Sequence, residues 1–223
     1  MDFIYIYGPD GVGKSTHALL LSNRLRVQGR KVKRVCIRSH HYPFRVFWIF
    51  LKLFCGEQYV YPNGHATKIP KVAILQALST FIIYAELFNV LVLILIAHIY
   101  LHLGYFVIAE RFVLDTYTDF LYFSRKFARK NLPTCVLSIL LRFLPKNVLF
   151  IFLDADYFSL RNRYNKRGSI HEPEDYVELQ RIVGRIFARK FNGLMIFTPR
   201  HTIAQTHMLI LHTLKSKDKS LCK

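Results

Sequence analysis

Acidic residues are what this sequence most lacks. It holds 14 Asp and Glu against 32 Lys and Arg in 223 residues, a formal net charge of +18 at pH 7. A chain this basic is suited to anions: nucleotides, nucleic acid or an anionic membrane surface. Cysteine is also sparse. Cys36, Cys55, Cys135 and Cys222 are scattered with no CxxC pair, which excludes a disulfide scaffold or a zinc ribbon and fits a reducing compartment. The 10 glycines and 8 prolines are too few for a fibrous or low-complexity chain. No secretory signal is visible: the N-terminus MDFIYIYGPDG opens on an acid, and its apolar run is only Phe3–Tyr7. A cytoplasmic location is expected. Hydrophobic residues make up 52% of the chain and charged ones 21%, so disorder is excluded and one domain can bury a sizeable core.

Charge is missing locally as well. Residues 71–124 carry only Lys71 and Arg111 as cations, whereas residues 1–70 carry eleven and residues 125–191 fourteen. From Leu87 to Ala109 there are 23 residues without a formal charge, long enough on paper to span a bilayer. Gly104 splits the run, and Tyr105–Ala109 reads better as a strand feeding Glu110 and Arg111. The helical remainder contains Asn89, His98 and His102. It is expected to be buried in an α/β core or at a subunit interface, with membrane association as the alternative.

Phe3–Tyr7 is a short apolar run ending in a Gly-rich turn, as in a buried strand. Residues 14–28 have helical spacing, with Ala18, Leu21 and Leu25 on one face and Gly29 suited to the residue beyond the helix. Val32–Ile37 reads as a second strand. Strand, helix and strand in so short a stretch make a βαβ unit, which predicts a parallel sheet. Residues 39–70, punctuated by Pro43, Gly56, Pro62, Gly64 and Pro70, read as irregular, with an aromatic-rich helix between Pro43 and Gly56. Residues 71–103 read as one long helix or two in tandem. Tyr105–Ala109, Val148–Leu153 and Leu194–Phe197 are the remaining strands. Helices are expected over 114–130, from Pro133 to near Pro145, and over 157–167, 174–191 and 202–214. The expected fold is α/β, a five-stranded parallel sheet flanked by helices in a single domain over 1–214. A basic tail over 215–223 is expected to be disordered.

The sharpest signal is Gly8-Pro-Asp-Gly-Val-Gly-Lys14-Ser15, which matches G-x-x-x-x-G-K-[ST] at every fixed position. It lies between a predicted strand and a predicted helix, where a P-loop must lie. Glycines let the backbone curl so that successive N–H groups face a phosphate, and the helix adds its positive end. The nucleotide-binding set is Gly8, Asp10, Gly11, Val12, Gly13, Lys14, Ser15 and Thr16. Lys14 is expected to reach the β- and γ-phosphates of ATP, and Ser15 to ligate Mg²⁺.

A P-loop gives nucleotide binding without the reaction. Glu110 and Arg111 follow the third strand, at the sheet edge where ligands collect. Glu110 there can hold magnesium or pair with a neighbour; Arg111 offers a phosphate a two-point contact. Arg161, Arg163, Lys166 and Arg167 lie on a helix leading into Gly168 and a charged loop. They suit closure over a triphosphate, with Arg161 on the nucleotide and Arg163 and Arg167 stabilising the transferring group. A solvated basic face is the plainer reading of the same residues.

These motifs together resemble the thymidylate kinases: Gly8-x-Asp10-Gly-x-Gly-Lys-Ser-Thr16, then the triplet Glu110-Arg111-Phe112, then Leu153-Asp154 before the Arg161-to-Gly168 lid. Arg38-Ser-His-His after the second strand is closest to the archaeal branch. The likeness covers about 1–38 and 104–214. It implies a nucleotide-kinase type of P-loop NTPase that moves the γ-phosphoryl of ATP to a nucleoside monophosphate, most simply dTMP. It places Asp10 on the acceptor's sugar and Glu110 with Arg111 at the acceptor's phosphate, the lid spanning about 160–173. Some members carry a catalytic Arg inside the P-loop; this chain has Gly11, so the lid cations must supply that charge. Three features depart from the pattern. The triplet's acid is Glu rather than Asp, the Glu-Pro segment after strand two is replaced by Arg38-Ser-His-His-Tyr-Pro, and Phe44, Phe47 and Trp48 are only candidates for a base-stacking aromatic.

His98 and His102 are one turn apart but have no third metal ligand nearby in sequence, and a core or interface role is expected. His40 and His41 read as loop or acceptor contacts. Asp115 and Asp119 share a helical face and could hold magnesium-bound water or pair with Arg111. Arg181 and Arg185 could contact surface or phosphate. The expected partners are a nucleotide substrate and a second copy in a homodimer, with nucleic acid possible and a membrane disfavoured. A P-loop phosphotransferase acting on a nucleoside or a nucleic-acid 5′ end, and a non-catalytic ATP-binding module docking on nucleic acid or membrane, remain alternatives.

Overall fold

β1 (Phe3–Tyr7) is buried at every residue, which is possible only for a central strand covered on both faces. Its side chains alternate between two apolar layers. Phe3, Tyr5 and Tyr7 face one layer, and Ile4 and Ile6 the other. The structure is a computed structural model and describes residues 1–36, 57–60, 66–69, 72–125 and 134–217.

The elements follow as α1 (Lys14–Val27), β2 (Val32–Cys36), β3 (Glu57–Val60), β4 (Ala66–Ile69), α2 (Val72–His102), β5 (Phe106–Glu110), α3 (Val113–Phe123), α4 (Thr134–Arg142), β6 (Val148–Asp154), α5 (Tyr157–Arg167), α6 (Glu174–Lys190), β7 (Leu194–Phe197) and α7 (Ile203–Lys217). The main sheet has strand order β2-β5-β1-β6-β7, and every pairing in it is parallel. β1 therefore sits in the middle, with β5 and β6 on either side. One layer packs Val90, Ile94 and Ala97 of α2 and Phe187 of α6 against the sheet. The other packs Ala18, Leu21 and Leu25 of α1 and Ile210 and Leu214 of α7.

The five parallel strands fall where the sequence places them, within a residue or two at each end. Four differences matter. β3 and β4 form an antiparallel pair, Glu57 opposite Ile69, inside a stretch expected to be irregular. β5 includes Glu110, so the acid belongs to the strand and only Arg111 leaves it. Residues 72–102 form one helix, not two. α7 runs to Lys217, so its last turn takes up residues expected to begin the tail. The expected helix between Pro43 and Gly56, the segment Arg38 to His41, and Phe44, Phe47 and Trp48 lie outside the described residues.

Val90, Ile94 and Ala97 are at most 3% exposed against the sheet. The inner face of α2 is thus committed to the protein core. Among the described residues, no helix is long and apolar enough to cross a membrane.

Candidate active site

Register carries four strand ends to one edge of the sheet. Ile6 lies opposite Glu110, Tyr7 opposite Phe152, Cys36 opposite Glu110 and Asp154 opposite Phe197. The loop after β1, Arg111 after β5, Asp154 closing β6 and Thr198 after β7 therefore converge. In parallel α/β sheets this carboxyl edge is where ligands bind.

Gly8 has φ +141°, and a Cβ on it would lie 2.1 Å from the Leu153 carbonyl oxygen. Only glycine lets the loop press onto β6 this closely. Val12 is buried in the same cluster as Leu160 and Tyr164, so its side chain anchors the loop while its backbone stays on the loop. Lys14 is buried and places all three of its donors on its own loop: the Gly8 carbonyl at 2.5 Å, the Pro9 carbonyl at 2.9 Å and Asp10 Oδ1 at 3.1 Å. Ser15 and Thr16 are exposed at the start of α1.

Arg111 adopts φ +47°, a left-handed conformation uncommon for a residue with a side chain. It brings the Arg111 guanidinium onto the Asp10 carboxylate. Asp10 is thus gripped from both sides. Burial pushes its carboxyl up, but Lys14 and Arg111 outweigh that and hold it below the usual carboxylate range. Burial also works against the Arg111 charge, and Asp10, Asp115 and Glu172 more than restore it.

Glu110 is buried and accepts two hydrogen bonds from Arg34 of β2, at 2.6 and 3.1 Å. The structure gives this carboxylate to a neighbouring strand, the pairing alternative of the sequence reading. Arg181 and Arg185 are not phosphate contacts here; both clamp Asp154, at 2.9 and 2.7 Å. His98 Nε2 lies 2.9 Å from the Phe143 carbonyl oxygen. Among the described residues, no group of three or more His, Cys, Asp or Glu could hold a metal.

The lid helix α5 is pinned to the P-loop. Arg163 donates to the Gly11 carbonyl at 3.0 Å and to Thr198 Oγ1 at 3.2 Å. Next to it, the Tyr164 hydroxyl lies 2.8 Å from the Asp10 carbonyl oxygen. The Tyr164 ring also crowds Gly11, where a Cβ would sit 3.1 Å from Cε1 with φ at +85°. A side chain at position 11 would therefore be strained as well as crowded. The cation that enters the loop from the lid is Arg163. Arg161 and Arg167 are exposed, and among the described residues neither bonds the P-loop.

Three buried acids complete the site. Asp115, placed in the second tier by sequence, accepts from the Tyr5 hydroxyl at 2.8 Å. Asp119 accepts from the Tyr176 hydroxyl. Burial, the largest influence, raises both, Asp119 to about 7. Glu172, which the sequence reading missed, is 1% exposed, and its Oε2 lies 3.3 Å from the Tyr164 hydroxyl. One phenol proton cannot serve both the Asp10 carbonyl and Glu172. Burial, then Asp10, push Glu172 well above the usual range, so its carboxyl can supply the second proton. The only sequence signal was an acid in a loop rich in charge and closed by Pro173.

The residues present fit a nucleotide with magnesium. The glycine cradle has no room for a side chain at Gly8, Ser15 offers an exposed hydroxyl, and no all-protein metal cage is built. Mg²⁺ commonly needs none, because it keeps waters and takes substrate phosphates as ligands.

No family model and no curated protein sequence matches this chain. Solved structures do. Thymidylate kinase from Candida albicans superposes with a TM-score of 0.64 at 18% identity, over 97% of this chain and 93% of that one. The YorR protein of Bacillus subtilis, solved in complex with phosphorylated GDP, superposes with a TM-score of 0.53 at 17% identity, over 96% and 95%. The fold is that of the P-loop nucleotide kinases. At these identities the likeness fixes the architecture, and the archaeal-branch resemblance of the sequence stays without a structural counterpart.

Proposed function

We propose that this chain is an ATP-dependent nucleoside monophosphate kinase whose acceptor is dTMP. The observation that carries the reading is the meeting of Lys14, Asp10 and Arg111 at one sheet edge. Two cations, one from the loop after β1 and one from the end of β5, flank a single carboxylate.

The P-loop amides and Lys14 bind the donor's phosphates, and Lys14 exchanges its own loop carbonyls for them. Ser15 is the residue that would hold Mg²⁺, which supplies charge neutralisation across the β- and γ-phosphates when bound. Arg111 presents its guanidinium to the acceptor's phosphate, and Asp10, between the cations, accepts from the acceptor's sugar. Arg163, already on the Gly11 carbonyl, holds the lid over 160–173 against the loop and brings positive charge to the transferring group. Arg161 and Arg167 swing in with the lid. Closure excludes water, so the phosphoryl group goes to the acceptor rather than to hydrolysis. The protein contributes position and charge, and needs no covalent intermediate.

The test is ATP consumption with dTMP, other monophosphates, nucleosides and 5′-hydroxyl oligonucleotides offered separately. Turnover with dTMP above the others is expected. Turnover only with nucleosides or oligonucleotides would move the acceptor to the class the +18 charge favours. Turnover with none would leave an ATP-binding module.

A further inference from the structure

The outer face of α2 carries no ligand chemistry and is not covered by the fold. Tyr84, Phe88, Leu91, Leu95 and Ile99 are all exposed, Leu95 by 60% and Tyr84 by 67%. Their spacing of four, three, four and four puts them in one stripe along the helix, roughly 22 Å long at 1.5 Å per residue. Leu103 extends it past the last turn. His98, within the same stretch, meets the Phe143 carbonyl, so the end of α4 lies against it. Phe143 is exposed there too, as is Ile139 one turn back on the same side of α4. Isolated exposed leucines need no explanation; a contiguous apolar patch of this size does.

The rim is basic. Lys33 sits 4.8 Å over the Tyr100 ring at one side, and Arg142 and Lys146 are exposed beside Phe143. From Leu87 to Ala109 the sequence has no acid and no cation. An apolar centre with a cationic margin, on a chain of +18, has two kinds of attraction to offer. Stable attachment to a bilayer surface needs two such signals, apolar insertion and electrostatics toward anionic headgroups.

We propose that the α2–α4 face is a docking surface for an anionic lipid bilayer, lying on it rather than crossing it. Charge decides between the bilayer and a second copy of the chain. In a two-fold dimer the same patch meets itself, so the basic margins of two highly positive chains are brought together. An anionic membrane complements that margin. Because the inner face of α2 packs Val90, Ile94 and Ala97 into the core, the helix can reach lipid only through its outer stripe. Docking this way leaves the P-loop edge of the sheet untouched, so the inference stands apart from the kinase reading.

The test is co-sedimentation with phosphatidylglycerol–phosphatidylcholine vesicles and with phosphatidylcholine vesicles alone, using the full chain. The parent should bind the anionic vesicles at least tenfold better than the neutral ones, and high salt should weaken that preference. Phe88→Glu with Leu95→Glu should reduce anionic-vesicle binding at least tenfold while far-UV circular dichroism and the unfolding midpoint hold. Should that pair fail to fold, Arg142→Glu with Lys146→Glu, at exposed rim positions, should still abolish the preference for anionic over neutral lipid. Three results overturn the proposal: a parent that binds neither vesicle, stripe and rim variants that bind as the parent does, or a parent dimer that the stripe variant converts to monomer with no vesicle binding by either.

Discussion

The P-loop and the acid–tyrosine cluster beside it share one site but are built in opposite ways. The P-loop is local: eight consecutive residues, conformationally set by glycines, with Lys14 bonded to atoms at most six positions away. The cluster is assembled at long range. Tyr5 reaches Asp115, Tyr176 reaches Asp119 and Tyr164 reaches Glu172, and the acids are buried deeply enough to favour their neutral forms. One half therefore works by fixed charge and fixed backbone. The other works by protons whose placement depends on burial, and each half fails in its own way.

The largest effect should come from the local half. Lys14→Ala removes the only side-chain cation inside the loop, and loss of a preorganised donor to a transition state costs about 2.7–4 kcal/mol, or roughly 10²–10³ in rate. Phosphoryl transfer should fall by that much while the unfolding midpoint changes little. Parental turnover by the folded variant would remove the P-loop from the mechanism.

The long-range half should show itself in pH. Asp119 is raised from 3.8 to about 7 by burial, so between those values the folded protein holds a proton that the unfolded chain has released. Stability contributed by this group is present at low pH and is lost as pH rises toward 7, with a slope of at most about 1.4 kcal/mol per unit. His17 works against it. Burial and then His207 lower it to about 4, so its contribution is lost as pH falls from 6.5. The parent alone would mix the two. The difference between the parent and Asp119→Asn, measured by urea unfolding from pH 4 to 8, isolates the acid: the parent's advantage should shrink steadily with rising pH. A difference independent of pH would mean that Asp119 stays ionised.

Arg111 belongs to both halves, since it leaves β5 and grips the loop's Asp10. Arg111→Ala should bind an ATP analogue nearly as well as the parent, because Lys14 and the loop amides remain. Its kcat/KM for the acceptor should fall at least tenfold, about 1.4 kcal/mol. Collapse of analogue binding with acceptor kinetics intact would place Arg111 on the donor side.

The same division explains what the sequence made legible. The P-loop, the five parallel strands and Arg111 were readable because short-range pattern determines them: apolar runs, glycine spacing and a strand-end cation. Glu172 was not readable, because nothing around it in sequence says that it is buried; Tyr164 and the neighbouring loop bury it from elsewhere in the fold. Glu110 misleads for the same reason. Its strand-end position is visible in sequence, but its partner Arg34 becomes a neighbour only once β2 pairs with β5. Arg181 and Arg185 looked like free cations until β6 delivered Asp154 between them.

The smallest expected effect tests the join between the halves. The Tyr164 hydroxyl touches the Asp10 carbonyl of the loop and the Glu172 carboxyl of the cluster, while its ring packs below Gly11. Tyr164→Phe keeps the ring and deletes the hydroxyl, leaving a carbonyl and a carboxyl without that partner. Loss of one such hydrogen bond costs about 1 kcal/mol, which should appear as a lower urea midpoint with an unchanged slope. Tyr164→Ala also forfeits the buried ring and should cost about 3–5 kcal/mol. Combining Tyr164→Phe with Glu172→Gln then asks whether the two groups act as one. If they do, the double variant loses less than the sum of the singles, because each has already broken the same contact. Strict additivity would mean that the P-loop and the acid cluster meet at Tyr164 without being coupled through it.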